Sequence, residues 1–406
     1  MLLLIYIAIC LLRNSIIVKS ELGFGIKFAY MAVLIGSVSM YMWLKKRLNR
    51  KITSSKIAML YRYMYLAILT LLTRVGMVYT FAKREVEIIP PSFGKGLGSY
   101  IFSLVNRVVD NPSFANAIIN TSITYIVVVL IKKILENITK SDFLSATAAI
   151  MYIFLPQSLY FVVEYNRYNY NLLFILTGFY IFLNIIDLVK QYKLKTRKYI
   201  YMSVVLGVIA ALDVVLGGSW AFWTLFVLAV TAAATYIDIA HISFGEDIKK
   251  NLSIKIKRLL YKIEQTNFSK LLNTFLIVLL ITILVATVID LFSTTPSNFA
   301  FTTNIRELAN RTIAALNTSR NYYIVLIAFI VLLEIIGVVL KRNLDIKMVS
   351  VKILNILVII SMLLSKDATY TATVFDITLI LLLVSNMCNI YYNREEKIKL
   401  LKDRND

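Results

Sequence analysis

Residues 45–82 read KKRLNRKITSSKIAMLYRYMYLAILTLLTRVGMVYTFA. The first twelve residues carry six cations, and the next twenty-six are apolar or aromatic apart from a few threonines, a glycine, Arg62 and Arg74. A helix needs about 20 mostly apolar residues to cross roughly 30 Å of hydrocarbon. The second part therefore reads as a membrane-spanning helix, and the first as a basic loop on the inner face. The same reading applies to 1–18, 25–44, 116–135, 143–163, 167–189, 200–217, 219–240, 271–292, 322–340, 349–365 and 371–392. The first of these lacks the basic start and small-residue cleavage site of a signal peptide. The runs are continuous and long, unlike the alternating strands of an outer-membrane barrel.

Composition agrees with this. Of 406 residues, 59% are hydrophobic and only 17% charged, against the 45–50% apolar content usual in soluble domains. A single histidine, His241, and two cysteines, Cys10 and Cys388, exclude His/Cys zinc sites and a disulfide framework. The net charge of +21 would in a soluble protein point to nucleic acid. Its distribution points elsewhere. With the N-terminus inside, 30 of the 44 basic residues fall in the inner segments 45–56, 132–140, 190–198, 241–270, 341–352 and 393–406, and 10 in the outer loops. The charge faces the anionic inner leaflet, so the expected partners include membrane lipids and no nucleic acid.

The expected fold is thus an all-α, multi-pass integral membrane protein of about twelve transmembrane helices, N-in and C-in. Two helices and a basic inner loop occupy 1–56, the main transmembrane domain 57–392, and a charged cytoplasmic tail 393–406. In the inner segment 241–270, Ile248, Leu252, Ile256, Leu259 and Ile263 recur at helical spacing among cations, the pattern of a helix lying on the membrane. The outer loops 83–115 and 294–321 each contain a similar pattern. Ile101, Leu104, Val105 and Val108 form the apolar stripe of the first, which Asn111-Pro112 ends, and Ile305, Leu308, Thr312 and Leu316 that of the second. GKGLGS at 94–99 has neither phosphate-loop spacing and reads as a turn.

Charges inside spans are costly and therefore informative. Arg62, Arg74, Asp213, Glu334 and Asp376 are such residues. Interhelical pairing of the two arginines with acids such as Asp213 is one reading, and an outward-open cavity holding an anionic group is the other. The turn QSLYFVVEYNRYNYN at 157–171 adds Tyr160, Glu164, Tyr165, Arg167, Tyr168 and Tyr170. It reads either as an interfacial aromatic belt with one ion pair or as a sugar- and phosphate-binding surface.

The order of these pieces resembles the GT-C class of membrane glycosyltransferases, especially bacterial relatives of protein mannosyltransferases and aminoarabinose transferases. The likeness runs through LLTRVGMVY (71–79), EVEIIPPSFGKG (85–96), LGSYIFSLVNRVVD (97–110), the helix pair 146–183 with Pro156, YMSVVLGVIAALDVVLGGSWAFW (201–223) and the final hairpin 365–386. It implies sugar transfer at the outer face of the plasma membrane, from a polyprenyl-phosphate donor to a glycan, lipid or protein acceptor. Where the class has its catalytic acid, this chain has Ser92, Phe93 and Gly94, so Glu85 and Glu87 upstream or Asp110 downstream would substitute, with Glu87 ranked first as general base and Glu85 second. Either the acid has moved or the chain keeps the fold without the chemistry. Arg74, Arg107 and Arg167 would face the lipid phosphate, with Glu164, Tyr165, Tyr168 and Asp213 completing the substrate site. The resemblance leaves the cofactor open, a divalent metal being one option. A secondary transporter or lipid-linked-sugar flippase, and a non-catalytic subunit of a glycan-assembly complex, are the alternatives.

Overall fold

The computed structural model describes residues 24–51, 55–81, 97–154, 162, 168–191, 197–215, 220–241, 271–292, 320–339, 345–364, 374–388 and 390. Among the described residues the chain is all-helical, with twelve helices and no strand. They are α1 (Phe24–Lys51), α2 (Ser55–Phe81), α3 (Leu97–Val109), α4 (Pro112–Thr139), α5 (Asp142–Ile153), α6 (Tyr168–Lys190), α7 (Arg197–Val215), α8 (Trp220–His241), α9 (Leu271–Phe292), α10 (Arg320–Val339), α11 (Ile346–Leu364) and α12 (Val374–Cys388). Three stretches, Lys56–Val75, Pro112–Thr139 and Tyr170–Lys190, are long and apolar enough to cross a membrane.

Eleven helices overlap the apolar segments, and α3 is the short helix expected in the first outer loop. The expected first span, the amphipathic stretch of 242–270, the second outer-loop helix and the tail lie outside the described residues. Several boundaries differ from the sequence reading for local reasons. The basic run after residue 44 is not a loop: α1 continues through it to Lys51, where cations suit the negative end of the helix dipole. Helix α4 starts at residue 112 rather than 116, because Asn111 caps it, its Oδ1 accepting from the Phe114 amide at 3.0 Å, and Pro112 supplies a ready-made first turn. It ends at Lys140, which takes a left-handed conformation and returns its amide to the Glu136 carbonyl. Helix α5 stops at Ile153 rather than running to 163. Pro156 lies three residues on, and the residue before a proline disfavours helical backbone.

Helix α2 shows how the bundle is sided. Ala58, Leu66, Thr70 and Arg74, four or eight residues apart, are buried, and Arg62 lies on the same stripe. Ile57, Leu60, Met64, Ile68, Leu71, Leu72 and Val75 are exposed. An apolar face of this length is ill-suited to water and fits hydrocarbon. Exposed apolar residues recur on α9, α10 and α11. The centre is α6, which packs against α4, α7 and α11. It also reaches α8 through Phe179 and Phe182, whose rings meet Phe226 edge-on with centroids 5.9 and 5.0 Å away.

Polar pairs join the helices in layers. Tyr199 and Ser203 of α7 bond Thr274 of α9 at 2.8 and 3.2 Å. Asn355 of α11 donates to Thr378 of α12 at 3.1 Å. Glu334 of α10 accepts from Lys352 of α11 and Asn386 of α12, each at 2.8 Å, so one of the in-span charges is explained by pairing.

Helices α6 and α8 approach closely at Gly178, where an added Cβ would stand 2.5 Å from Trp223 Cζ2. Trp223 is 1% exposed and wedged edge-on against Phe222 and Phe226, so its ring has no room to retreat. Gly178→Ala is expected to destabilise the protein by about 2 kcal/mol through overpacking, despite alanine's better helix propensity. Melting in detergent measures this. Adding Trp223→Phe, which removes the clashing ring atoms, should restore part of the loss.

Candidate functional site

The helix ends form two polar layers of different character. One is ionic and centres on Asp142, the first residue of α5, which follows the N-cap Ser141. Its Oδ2 contacts Lys45 Nζ of α1 at 2.8 Å and Arg62 Nη1 of α2 at 3.2 Å. Its Oδ1 accepts from Lys132 Nζ of α4 at 2.8 Å and from the Tyr41 hydroxyl of α1 at 3.0 Å. Lys132 also pairs with Glu136 and stands 5.3 Å from the centre of the Tyr63 ring. Burial alone would raise the Asp142 pKa, but hydrogen bonds from Lys132 and Lys45 outweigh it and hold the carboxyl well below its usual range. A second set on the same layer joins Lys347 of α11 to Asp187 of α6 at 2.6 Å, with Asn137 of α4 donating to Asp187 at 3.3 Å. Lys190 pairs with Asp345 at 2.7 Å beside it. These groups clamp helices and leave few acceptors for a ligand.

The opposite layer is polar but sparsely charged. Arg74 sits there, 1% exposed. Its Nη1 donates to the Ile153 carbonyl at the end of α5 at 2.8 Å and to the Thr73 hydroxyl at 3.1 Å. Asn116, Asn120 and Thr124 follow at intervals of four on α4, all buried, and Asn120 Nδ2 donates to the Val162 carbonyl at 3.0 Å. Tyr170 and Asn171 at the start of α6 and Asp213 near the end of α7 are buried too. Helix α3 closes the rim: Ser99 and Phe102 face inward, while Tyr100, Leu104 and Val108 are exposed. Its apolar stripe therefore divides, with Ile101 and Val105 packing on the core and Leu104 and Val108 turned outward.

Each sequence-derived site residue can now be placed. Arg74 and Asp213 share the polar layer. Arg107 lies in the last turn of α3 and is exposed. Tyr168 is the first residue of α6. Glu85, Glu87, Glu164, Tyr165 and Arg167 lie outside the described residues. Of the expected interhelical pairs between in-span arginines and acids, that of Arg62 is formed, with Asp142 in place of Asp213. Arg62 pairs with Asp142 at the other layer, because twelve residues of helix separate it from Arg74 by about 18 Å. Arg74 Nη1 donates to a main-chain carbonyl and a hydroxyl. Among the described residues, no three His, Cys, Asp or Glu side chains gather to hold a metal.

Two features escaped the sequence reading. Asp142 was passed over because it abuts an apolar run, although Ser-Asp before such a run is a helix-start signal. The Asn116–Asn120–Thr124 stripe was also legible, as three polar residues at one-turn spacing in an otherwise apolar segment. No protein-family model matches this chain, and no curated protein or solved structure matches it either.

Proposed function

We propose that this protein is a GT-C-like transferase of the plasma membrane that moves a sugar from a polyprenyl-phosphate donor to an acceptor at the outer face. In this reading it has about twelve spans with both termini inside, and the layer around Arg74 faces outward. The observation that carries it is Arg74. Its guanidinium is buried within a membrane-type helix and is oriented by the Ile153 carbonyl and the Thr73 hydroxyl. A cation within a span is costly and therefore a mark of function, and a phosphate is the anion this donor class presents.

The reaction requires little else of the chain. Glu87, with Glu85 next in rank, takes the acceptor proton as the new bond to the anomeric carbon forms. The bond from that carbon to the phosphate oxygen breaks, and its electron pair leaves on the lipid phosphate. Arg74, with Arg107 and Arg167, stabilises that developing charge. Glu164, Tyr165 and Tyr168 are assigned in this reading to substrate binding.

Protein in proteoliposomes, given radiolabelled polyprenyl-phosphate-hexose and a panel of acceptors, should release free polyprenyl phosphate. Glu87→Gln should lower that release by about 10²–10⁴-fold, the usual span for a lost general base, at unchanged protein level. Full activity in Glu87→Gln would remove that residue from the mechanism. Movement of intact donor across the bilayer without bond cleavage would replace transfer by flipping.

A further inference from the structure

The ionic layer around Asp142 is short of acceptors but not of donors. Helices α1 and α2 contain no acid, and from Lys45 to Arg62 the chain carries seven cations. The two oxygens of Asp142 divide the cations that reach it. Oδ1 takes the buried Lys132 and the Tyr41 hydroxyl, while Oδ2 takes Lys45 at 2.8 Å and Arg62 at 3.2 Å. Sharing one oxygen holds the two nitrogens within about 6 Å of each other, close enough for one phosphate group to bridge them. The Lys45 and Arg62 side chains are 28% and 17% exposed, against 2% for Lys132, so they form the outward edge of the cluster. Each keeps donors in reserve. Lys45 commits one of its three N–H groups to Asp142. Arg62 commits Nη1 to Asp142 and Nε to the Ala58 carbonyl at 3.4 Å, and its Nη2 is uncommitted among the described residues. Lys45, Arg62 and Lys132 face only Asp142 and Glu136, which leaves a net positive charge even before the exposed Lys46, Arg47 and Lys56 are added. The pair also stands at a boundary. Lys45 ends the apolar stretch of α1, and no charge follows Arg62 until Arg74. On the apolar side of the pair, Ile35 and Met40 of α1 and Met64 and Ile68 of α2 are exposed. Trp43, half exposed, lies 4.9 Å beneath the Arg47 guanidinium, a placement typical of the membrane–water interface.

We propose that Lys45 and Arg62 bind the phosphate of an anionic phospholipid in the leaflet that borders this end of the bundle. The site requires the helices to lie in a membrane and requires no transfer reaction. Asp142 is its positioning residue: it neutralises one of the two charges and fixes both side chains, leaving the other charge for a phosphate that approaches from outside. A zwitterionic lipid brings its own ammonium group to the same cations and is disfavoured by like charge. Free phosphate lacks the acyl chains that Met40 and Met64 would cover.

The test titrates phosphatidylglycerol or phosphatidylcholine into the intact chain in neutral detergent and follows bound lipid by native mass spectrometry, with inorganic phosphate as competitor. Phosphatidylglycerol should bind about tenfold or more tightly than phosphatidylcholine, the worth of a hydrogen bond to a charged group. Lys45→Gln and Arg62→Gln should each remove most of that preference and change phosphatidylcholine less than about twofold, while Lys45→Arg keeps it. Lys190→Gln removes the same charge from the same layer, at the Asp345 pair, and should leave the preference intact. Millimolar inorganic phosphate should displace little of the lipid. Three results overturn the site: no preference in the wild type, a preference retained in Lys45→Gln, or an equal loss in Lys190→Gln, which would show a diffuse field of charge. Full displacement by inorganic phosphate overturns the lipid as occupant and leaves a simple anion site. Melting curves accompany each variant. Arg62 lies deeper than Lys45, so if Arg62→Gln unfolds, the comparison of Lys45→Gln with Lys45→Arg decides. Loss of transferase activity plays no part in these readouts, so this site and the transfer reaction fail separately.

Discussion

Asp142→Ala should lower the stability of the protein by about 3 kcal/mol or more, the loss seen when one partner of a buried ion pair is removed. The carboxylate receives Lys45, Arg62, Lys132 and Tyr41, from three helices. Lys132 is only 2% exposed, so deleting Asp142 leaves Glu136 as its one acid partner among the described residues and removes a charge that water cannot replace there. Thermal unfolding in detergent, or the fraction surviving extraction, measures the effect. Lys132→Met on the Asp142→Ala background should recover part of it, because an apolar pair of similar volume carries no unpaired charge. The sign of the pH dependence follows from the lowered carboxyl pKa. The stabilising charge is complete above the unfolded value of about 3.9 and is lost as pH falls through the folded value. Wild-type protein should therefore lose stability on acidification below about pH 4 more steeply than Asp142→Asn does.

Arg74→Gln should abolish measurable transfer, a fall of about 10²-fold or more, as removal of a donor to a developing anion does elsewhere. Glutamine can still reach toward the Ile153 carbonyl, so the link between α2 and α5 survives in part and the folded protein can be assayed. Arg74→Lys is not equivalent. It keeps the charge but loses the planar fork that can serve a carbonyl and a phosphate oxygen together, and intermediate activity is expected. If Arg74→Gln protein is folded and fully active, the guanidinium is a structural clamp only, and the phosphate reading fails with it. Activity measured as free polyprenyl phosphate released, alongside a melting curve for each variant, separates the two outcomes.

How far the sequence could be read differs from region to region. On α2, hydropathy and the basic flank identify the helix, while only the packed structure shows that both arginines lie on its inward stripe. On α3, the sequence marks the helix and its stop at Asn111-Pro112, but not which half of the apolar stripe faces inward. Leu104 and Val108 are as apolar as Ile101 and Val105, and only the neighbouring helix decides between them. At Pro156 the information was present and outweighed: hydropathy alone carries the segment to 163, while backbone sterics end the helix at Ile153.

The candidate site divides along the same line. That charges at 62, 74 and 213 need partners or ligands follows from the cost of burying charge, and the sequence states it unaided. Which partner each obtains does not follow. Arg62 reaches Asp142 across 80 positions of chain, and Lys347 reaches Asn137 across 210, through the packing of α2, α4, α5, α6 and α11. Hydropathy, periodicity and charge bias are properties of neighbouring residues, so the sequence by itself determines the helices, their apolar faces and the basic ends. The tertiary structure alone decides that Asp142 gathers the cations at one end while Arg74 meets the end of α5 and Asn120 the Val162 carbonyl at the other. Hydrogen bonds and ion pairs act only over a few ångströms, and only the packed bundle sets which side chains come that close.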